Sequence, residues 1–271
     1  MAGSGLGYAA VPPVIQYVNS TYGWRSGYYT LAAIILFLAI PLIVLLFRNK
    51  PADLGLLPDG ALHDASTGAS TVIREGGMSR HEALRDRNFW LLVSIFSLIA
   101  FSLFGLLIHI VPMLSDRGMS HKSAAYVASL VGITILIVRV PIGILMDRCF
   151  APRVAQCCFL LSALGIGILA SGASGFPAYV AAVLVGFSIG AEVDLLAFLT
   201  GRYFGLRNYG EIFGLMFASM MLGVSFGPPT FGICFDLTGD YTLVLYLSCL
   251  VLVAATFITQ LLPAYPVFTK E

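Results

Sequence analysis

Charged residues are what this 271-residue sequence has least of, at 11% of the chain against about 25% in an average globular domain. Apolar residues make up 58%, and the mean hydropathy is +0.91. So little charge could not cover the surface of a soluble protein, which excludes a soluble globular enzyme and a disordered chain. The net charge of +1 offers no basic surface for nucleic acid. The composition predicts a multi-pass membrane protein without nucleic-acid partners.

Metal-binding and nucleophilic motifs are missing as well. The five cysteines form no Cys-x-x-Cys pair, and no cluster of ligand residues has metal-binding spacing. The segment Gly186–Gly190 fits the Gly-x-Ser-x-Gly pattern of hydrolases, but it lies in an apolar run with no strand before it. We therefore expect no metal, no cofactor and no enzymatic activity.

Long apolar runs are what the chain does contain. A helix that crosses the hydrocarbon needs about 20 mostly apolar residues. Because backbone groups find no water in lipid, such runs form helices rather than strands. The sequence predicts an all-α polytopic fold with about eight transmembrane helices, at residues 3–20, 26–47, 89–114, 123–146, 154–173, 177–200, 212–235 and 242–262.

Positive charge is distributed unevenly over the connecting segments. Most of the 15 Lys and Arg residues lie in segments 48–87, 147–153 and 201–211 and in the C-terminal tail, which share one side of the membrane. Cytoplasmic loops carry an excess of these residues. We therefore expect both termini in the cytoplasm, with the protein in the plasma membrane or a bacterial inner membrane.

Segment 48–88 is predicted to be a cytoplasmic linker. Its middle is small and polar and cannot form a core. Near its end, Ser79 and Glu82 have the spacing of a capping box, which predicts a short amphipathic helix before the span. The linker separates two helices within residues 1–47 from a six-helix bundle and short tail within residues 89–271.

A Gly-x-x-x-Asp motif closes two of the apolar helices, at Gly143–Asp147 and at Gly232–Asp236. The predicted orientation puts the two motifs on opposite sides of the membrane. The last six predicted spans therefore look like two three-helix units, residues 89–173 and 177–262, with inverted topology. Such inverted repeats are typical of secondary transporters. With Arg148 after the first motif, these residues resemble the loop motif of the major facilitator superfamily.

Other motifs extend this resemblance over essentially the whole chain. The segment from Gly214 through Gly223 to Gly227-Pro228 resembles the glycine-rich antiporter motif of the family, with Phe231 in place of a final glycine pair. Segments 22–25 and 51–60 match the family's segments after the fifth and sixth helices. Segment 108–118 resembles the seventh helix of the oxalate/formate antiporter and monocarboxylate transporter branch.

The resemblance implies that the eight spans are helices 5–12 of a twelve-helix fold. The second bundle is then complete, and the first lacks four helices. We therefore expect that the chain alone does not transport. A four-helix fragment or a second copy of the chain would complete the first bundle.

Three charged side chains lie inside the predicted spans, namely Arg139, Glu192 and Asp194. Each costs about 2.5–3.5 kcal/mol at mid-bilayer, so each must face protein, water or a partner. The helical rise puts all three at one level. Glu192 and Asp194 point about 200° apart. One is expected to face the transport pathway, where it could bind a coupling proton. The other is expected to pair within the bundle or to reach toward Arg202, and the sequence leaves open which carboxylate has which role.

Arg139 shares a helix face with Gly132 and Gly143, whose small size leaves room beside the guanidinium. This pattern favours an arginine that binds an anion through two hydrogen bonds. The alternative is a fixed salt bridge to one of the two carboxylates. Arg139-Val-Pro-Ile-Gly143 is also similar to the substrate-binding segment of the monocarboxylate branch, although Ile135 replaces the aspartate that this branch has one turn earlier.

The remaining candidate residues lie at helix ends and in the glycine-rich motif. His109, near the outer end of its span, is expected either to bind substrate or to sit at the membrane interface with a wet tip. Six further residues are expected to act in gating or in close helix packing and kinking, namely Gly143, Asp147, Arg148, Gly223, Gly227 and Pro228.

The function that these observations favour is secondary transport, by symport or antiport, of a small organic anion through alternating access. The partners expected are a small-molecule substrate and the lipid bilayer. Two alternatives stay open. One is efflux of apolar compounds, and the other is a truncated membrane remnant that does not transport.

Overall fold

The structure is a computed structural model that describes residues 21–46 and 76–266, together with residues 15 and 18. Its regular elements are helices, apart from one isolated β-bridge within the described residues. A π-helical turn, Ile35–Ala39, joins the first two of the helices named next. The helices are α1 (Trp24–Ile34), α2 (Ile40–Leu46), α3 (Arg80–Arg85), α4 (Arg87–Asp116), α5 (His121–Arg148), α6 (Ala151–Ala170), α7 (Phe176–Phe204), α8 (Tyr209–Thr238) and α9 (Thr242–Thr259).

Seven stretches of the described residues are long and apolar enough to cross a membrane, with α1, the π-helical turn and α2 forming one of them. They coincide with seven of the predicted spans, and the all-α polytopic fold is confirmed. The predicted span at 3–20 lies outside the described residues, except for residues 15 and 18. The observed bounds differ from the predicted ones by a few residues, because terminal turns that carry charge, as at Arg87 and Arg148, fall outside an apolar run.

The short helix α3 precedes the first span of the second part of the chain. Glu82 N–H donates to the Ser79 hydroxyl at 3.3 Å, and Ser79 N–H donates to a Glu82 carboxylate oxygen at 2.7 Å. The capping box that the spacing predicts is therefore present. The hydrogen bonds from the Ser79 backbone and side chain lower the pKa of Glu82, because they favour the ionised carboxylate.

The residues just before α3 are fastened to the turn between α7 and α8. Met78 N–H donates to the Phe204 carbonyl at 2.8 Å, and Leu206 N–H donates to the Gly76 carbonyl at 3.2 Å. Gly205 has a φ of +75°, a conformation that favours glycine, and an added Cβ there would lie 2.5 Å from the Gly76 oxygen. This contact was not predicted, because nothing in the local sequence pattern pairs these two distant segments.

Residues 1–73 and 74–271 form two compact units. In the second unit, short turns connect α4 to α9, so consecutive helices run in opposite directions. The starts of α4, α6 and α8 therefore meet the ends of α5 and α7. We call this the basic end of the bundle, because it carries Arg87, Arg148, Arg153, Arg202 and Arg207.

The six long helices of the second unit form two triplets, α4–α6 and α7–α9, that pack against each other. Helix α4 of the first triplet packs against α8 and α9 of the second, whereas α7 packs against α5 and α6. The first helix of each triplet thus lies against the second and third helices of the other. This exchange agrees with the inverted repeat that the sequence predicts.

Glycines on α8 allow its backbone to touch that of α4. A Cβ added at Gly223 would overlap the Ser97 carbonyl oxygen, and one added at Gly227 would overlap the Phe101 carbonyl oxygen. Both glycines are buried. The close approach that the glycine-rich motif predicts is therefore present, and we call this interface the α4–α8 seam.

One turn further along the seam, the small and large residues change sides. The Phe231 ring of α8 lies over Gly105 of α4, where an added Cβ would be 2.5 Å from the ring. Phe231 is fully buried. Phe231 departs from the family motif, which has glycine there. The large side chain fits because Gly105 on the facing helix leaves room for its ring.

A second seam joins α5 to α7. A Cβ added at Gly186 would lie 2.6 Å from the Thr134 Cβ, and one added at Gly190 would lie 3.0 Å from the Ile135 carbonyl oxygen. The two helices run in the same direction. This seam sets the register between the helix that carries the intramembrane arginine and the helix that carries both carboxylates.

Candidate functional site

The three intramembrane charges lie at one level of the bundle. Gly190 packs against Ile135, and both α5 and α7 continue from that contact toward the basic end. Arg139 is one turn beyond Ile135, and Asp194 is one turn beyond Gly190. Glu192 lies between Gly190 and Asp194 on the same helix. The register of the α5–α7 seam therefore places the arginine of α5 and the two carboxylates of α7 at the same depth in the bundle.

Glu192 and Asp194 point toward different neighbours. The Ser188 hydroxyl donates to the Cys158 carbonyl at 2.6 Å, so this face of α7 lies against α6. Glu192 is one turn further on the same face. Gly190 faces α5, and Asp194 is one turn further on that face. The packing thus turns Glu192 toward α6 and Asp194 toward the helix that carries Arg139.

Glu192 is sealed inside the bundle. Its side chain is 1% exposed, and its Oε1 atom is buried without a hydrogen-bond partner among the described residues. Asp194 is only half-buried. A buried polar atom that no protein group satisfies is uncommon and calls for a functional or physical reason.

Arg139 lies half-buried on α5. Its Nε atom is buried. A Cβ added at Gly132 or at Gly143 would meet none of the described atoms within 4 Å. Neither glycine adds a side chain beside the arginine, which favours the approach of an anion to the guanidinium.

His109 is held by two other segments of the bundle. Its Nε2 lies 3.0 Å from the Pro228 carbonyl oxygen, and its Nδ1 lies 3.2 Å from the Tyr241 hydroxyl. The ring also stacks on Phe231 at a centroid distance of 6.0 Å. Substrate binding by His109 stays a prediction. The part played by Tyr241 was not predicted, since a single aromatic residue before a span gives no sign of its partner.

The other candidate residues stay predictions as gating elements. Asp147 and Arg148 form the exposed last turn of α5 at the basic end. Pro228 lies inside α8, which continues past it. No group of three or more His, Cys, Asp or Glu side chains among the described residues could hold a metal ion.

Comparison with known proteins places the chain in a family. The sequence profile of the Major Facilitator Superfamily matches residues 1–228 and, in a second alignment, residues 91–267. Monocarboxylate transporter 12 from Xenopus laevis is 24% identical over 263 residues, which cover 92% of this chain and 56% of that protein. Monocarboxylate transporter 11 from Homo sapiens is 27% identical over 272 residues, which cover 97% and 55%. The chain spans about half the length of the curated relatives it matches.

A solved structure has the same fold. The crystal structure of the major facilitator transporter FucP in the outward conformation matches with a TM-score of 0.59 and 15% identity, over 89% of this chain and 56% of FucP. The helices, the family profile and the relatives therefore agree. The chain is a multi-pass membrane protein that belongs to the major facilitator superfamily, and it is similar to monocarboxylate transporters.

Proposed function

We propose that the chain takes part in secondary transport of a small organic anion, in particular a carboxylate, by alternating access. The observation that carries this proposal is Arg139, a half-buried arginine inside a span with Gly132 and Gly143 on the same helix face. A guanidinium can hold a carboxylate through two parallel hydrogen bonds. The names of the matching monocarboxylate transporters support the same class of substrate. Members of this family are transporters rather than enzymes.

A panel of small molecules tests the proposal on the purified chain in lipid nanodiscs. We expect acetate, lactate and pyruvate to raise the melting temperature, and lactamide, which lacks the carboxylate, to have no effect. The effect should increase with ligand concentration, as mass action requires. Stabilisation by apolar compounds but not by carboxylates would instead favour efflux of apolar compounds. No response to either class would favour the remnant that does not transport.

Proton coupling is proposed for one of the two carboxyl groups of α7. Glu192 is the stronger candidate, because it is buried and one of its oxygens has no hydrogen-bond partner among the described residues. Asp194 lies on the α5 side at the level of Arg139, which makes it the candidate charge partner of the arginine. The two roles that the sequence left open are thereby divided between two residues.

Replacing Glu192 by glutamine should uncouple transport from the proton gradient. Glutamine keeps the size of the side chain and removes the titratable group, so counterflow exchange of lactate should persist while concentrative uptake is lost. Proteoliposomes that hold the chain together with a four-helix fragment completing its first bundle, with and without an imposed proton gradient, provide the measurement. Asp194→Asn is the matched control on the opposite face of the helix. Normal proton-driven accumulation by Glu192→Gln, with loss in Asp194→Asn, would transfer the role to Asp194.

We also propose that the basic end of the bundle and both termini face the cytoplasm, since Lys and Arg are concentrated there. In a variant without the five native cysteines, thiols introduced at Ala69 and Leu206 should be protected from an impermeant reagent added outside intact cells. Thiols introduced at Gly118 and Gly239 should react. The reverse labelling pattern would show that the membrane orientation is inverted.

A further inference from the structure

The α4–α8 seam continues to a histidine. Residues 97, 101 and 105 of α4 succeed one another at four-residue spacing, and each meets α8 at successive turns. His109 is the next position in this series. At that position the contact changes from backbone packing to hydrogen bonds, because the imidazole reaches Pro228 in α8 and Tyr241 just before α9.

The partners determine which ring nitrogen carries the proton in the neutral imidazole. The Pro228 carbonyl can only accept, so Nε2–H of His109 donates to it at 3.0 Å. Nδ1 then accepts from the Tyr241 hydroxyl at 3.2 Å. Burial, together with the carboxylates of Asp116 and Asp236, raises the pKa of Tyr241. The phenol therefore keeps the proton that it donates.

The accepting carbonyl lies in the proline-containing part of α8. Pro228 and Pro229 have no N–H groups, so two consecutive hydrogen bonds of the helix ladder cannot form there. Kinks in helices arise at such positions. The bonds from His109 act where the helix has lost internal support, and they connect that segment both to α4 and to the start of α9.

We propose that His109 is a positioning residue that holds the proline-containing segment of α8 against α4 and the start of α9, rather than a ligand of the transported anion. Both of its ring nitrogens are already bound to protein groups. Helix bending at this segment would have to break or strain these bonds, so His109 would set the rate of conformational exchange. Only this effect on the exchange rate rests on the proposed transport function.

Hydrogen–deuterium exchange of the purified chain in nanodiscs tests the positioning role without any substrate. His109→Leu removes both hydrogen bonds, and amide exchange in residues 224–233 should rise roughly tenfold. His109→Gln keeps a donor and an acceptor, and it should restore most of the protection. Tyr241→Phe removes one hydroxyl and should give a smaller increase. Unchanged exchange in both His109→Leu and Tyr241→Phe would overturn the proposal, and Tyr241→Phe keeps the test decisive if His109→Leu fails to fold.

Counterflow of labelled lactate, measured on the chain together with a four-helix fragment that completes its first bundle, separates a positioning residue from a ligand. In His109→Leu we expect a lower maximal rate with an unchanged KM, and recovery of the rate in His109→Gln. A raised KM together with unchanged α8 exchange would make His109 a substrate ligand and overturn the proposal. If the unmodified chain, completed in this way, neither binds nor transports lactate, the proposed carboxylate transport fails. The hydrogen–deuterium exchange comparison then still decides the role of His109.

Discussion

Replacing Arg139 by lysine is expected to weaken carboxylate binding roughly ten- to hundredfold, because hydrogen bonds to charged groups contribute about 1.5–3 kcal/mol each. Lysine keeps the positive charge but cannot form the planar pair of hydrogen bonds. Gly132 and Gly143 themselves carry no side chain that could take over the second bond. Calorimetric titration of lactate into the purified chain in nanodiscs measures the effect.

The control for this prediction is Arg148→Lys, since Arg148 is exposed at the end of the same helix. It should bind lactate as the unmodified chain does, and both variants should melt at the same temperature. Normal binding by Arg139→Lys and by Arg139→Gln would contradict the anion site. If Arg139→Gln instead unfolds, and a second substitution at Glu192 or Asp194 restores folding, the arginine is one half of a structural salt bridge.

Replacing Gly227 by leucine is expected to cause a large loss of stability, because even the leucine Cβ would overlap the Phe101 carbonyl oxygen. The obstructing atom belongs to the backbone of α4, so no side-chain rotation relieves the overlap. The two helices would have to separate, which would also break the hydrogen bond from the Ser97 hydroxyl to the Ser219 carbonyl at 3.0 Å. Overpacking of a close interface costs about 1–3 kcal/mol, which lowers the melting temperature by roughly 2–12 °C.

Gly214→Leu provides the matched control on the same helix. Gly214 is exposed, and a Cβ added there meets none of the described atoms within 4 Å. The two substitutions add the same side chain to the same helix, so they differ only in the atoms that this side chain contacts. Thermal unfolding of both variants in nanodiscs is the measurement. Equal melting temperatures would show that the backbone contact at Gly227 does not hold α8 to α4.

The two predictions depend on different seams, and the glycines of these seams have different structural roles. Gly223 and Gly227 bring α8 against α4, where the close contact supports a helix weakened by two prolines. Gly186 and Gly190 bring α7 against α5, and this contact places Asp194 at the same depth in the bundle as Arg139. Stability and binding should therefore respond separately, with Gly227→Leu changing the first and Arg139→Lys the second.

The sequence by itself determined the features that depend on composition and on short-range spacing. Scarce charge and long apolar runs predicted the seven described spans, because the cost of burying backbone and charge in lipid leaves few alternatives. The capping box of Ser79 and Glu82 is local and was predicted correctly. Close packing at Gly223 and Gly227 was predicted from a motif in which only glycine leaves enough room for a neighbouring backbone.

Only the tertiary structure decided which side chains meet. The partners of His109 lie 119 and 132 residues away in the chain, and the sequence pattern around a histidine does not encode them. The division of Glu192 toward α6 and Asp194 toward α5 likewise depends on which helix occupies each side of α7. A helical sequence defines the angles between its own side chains, but the identity of the facing helix results from the packing of the whole bundle.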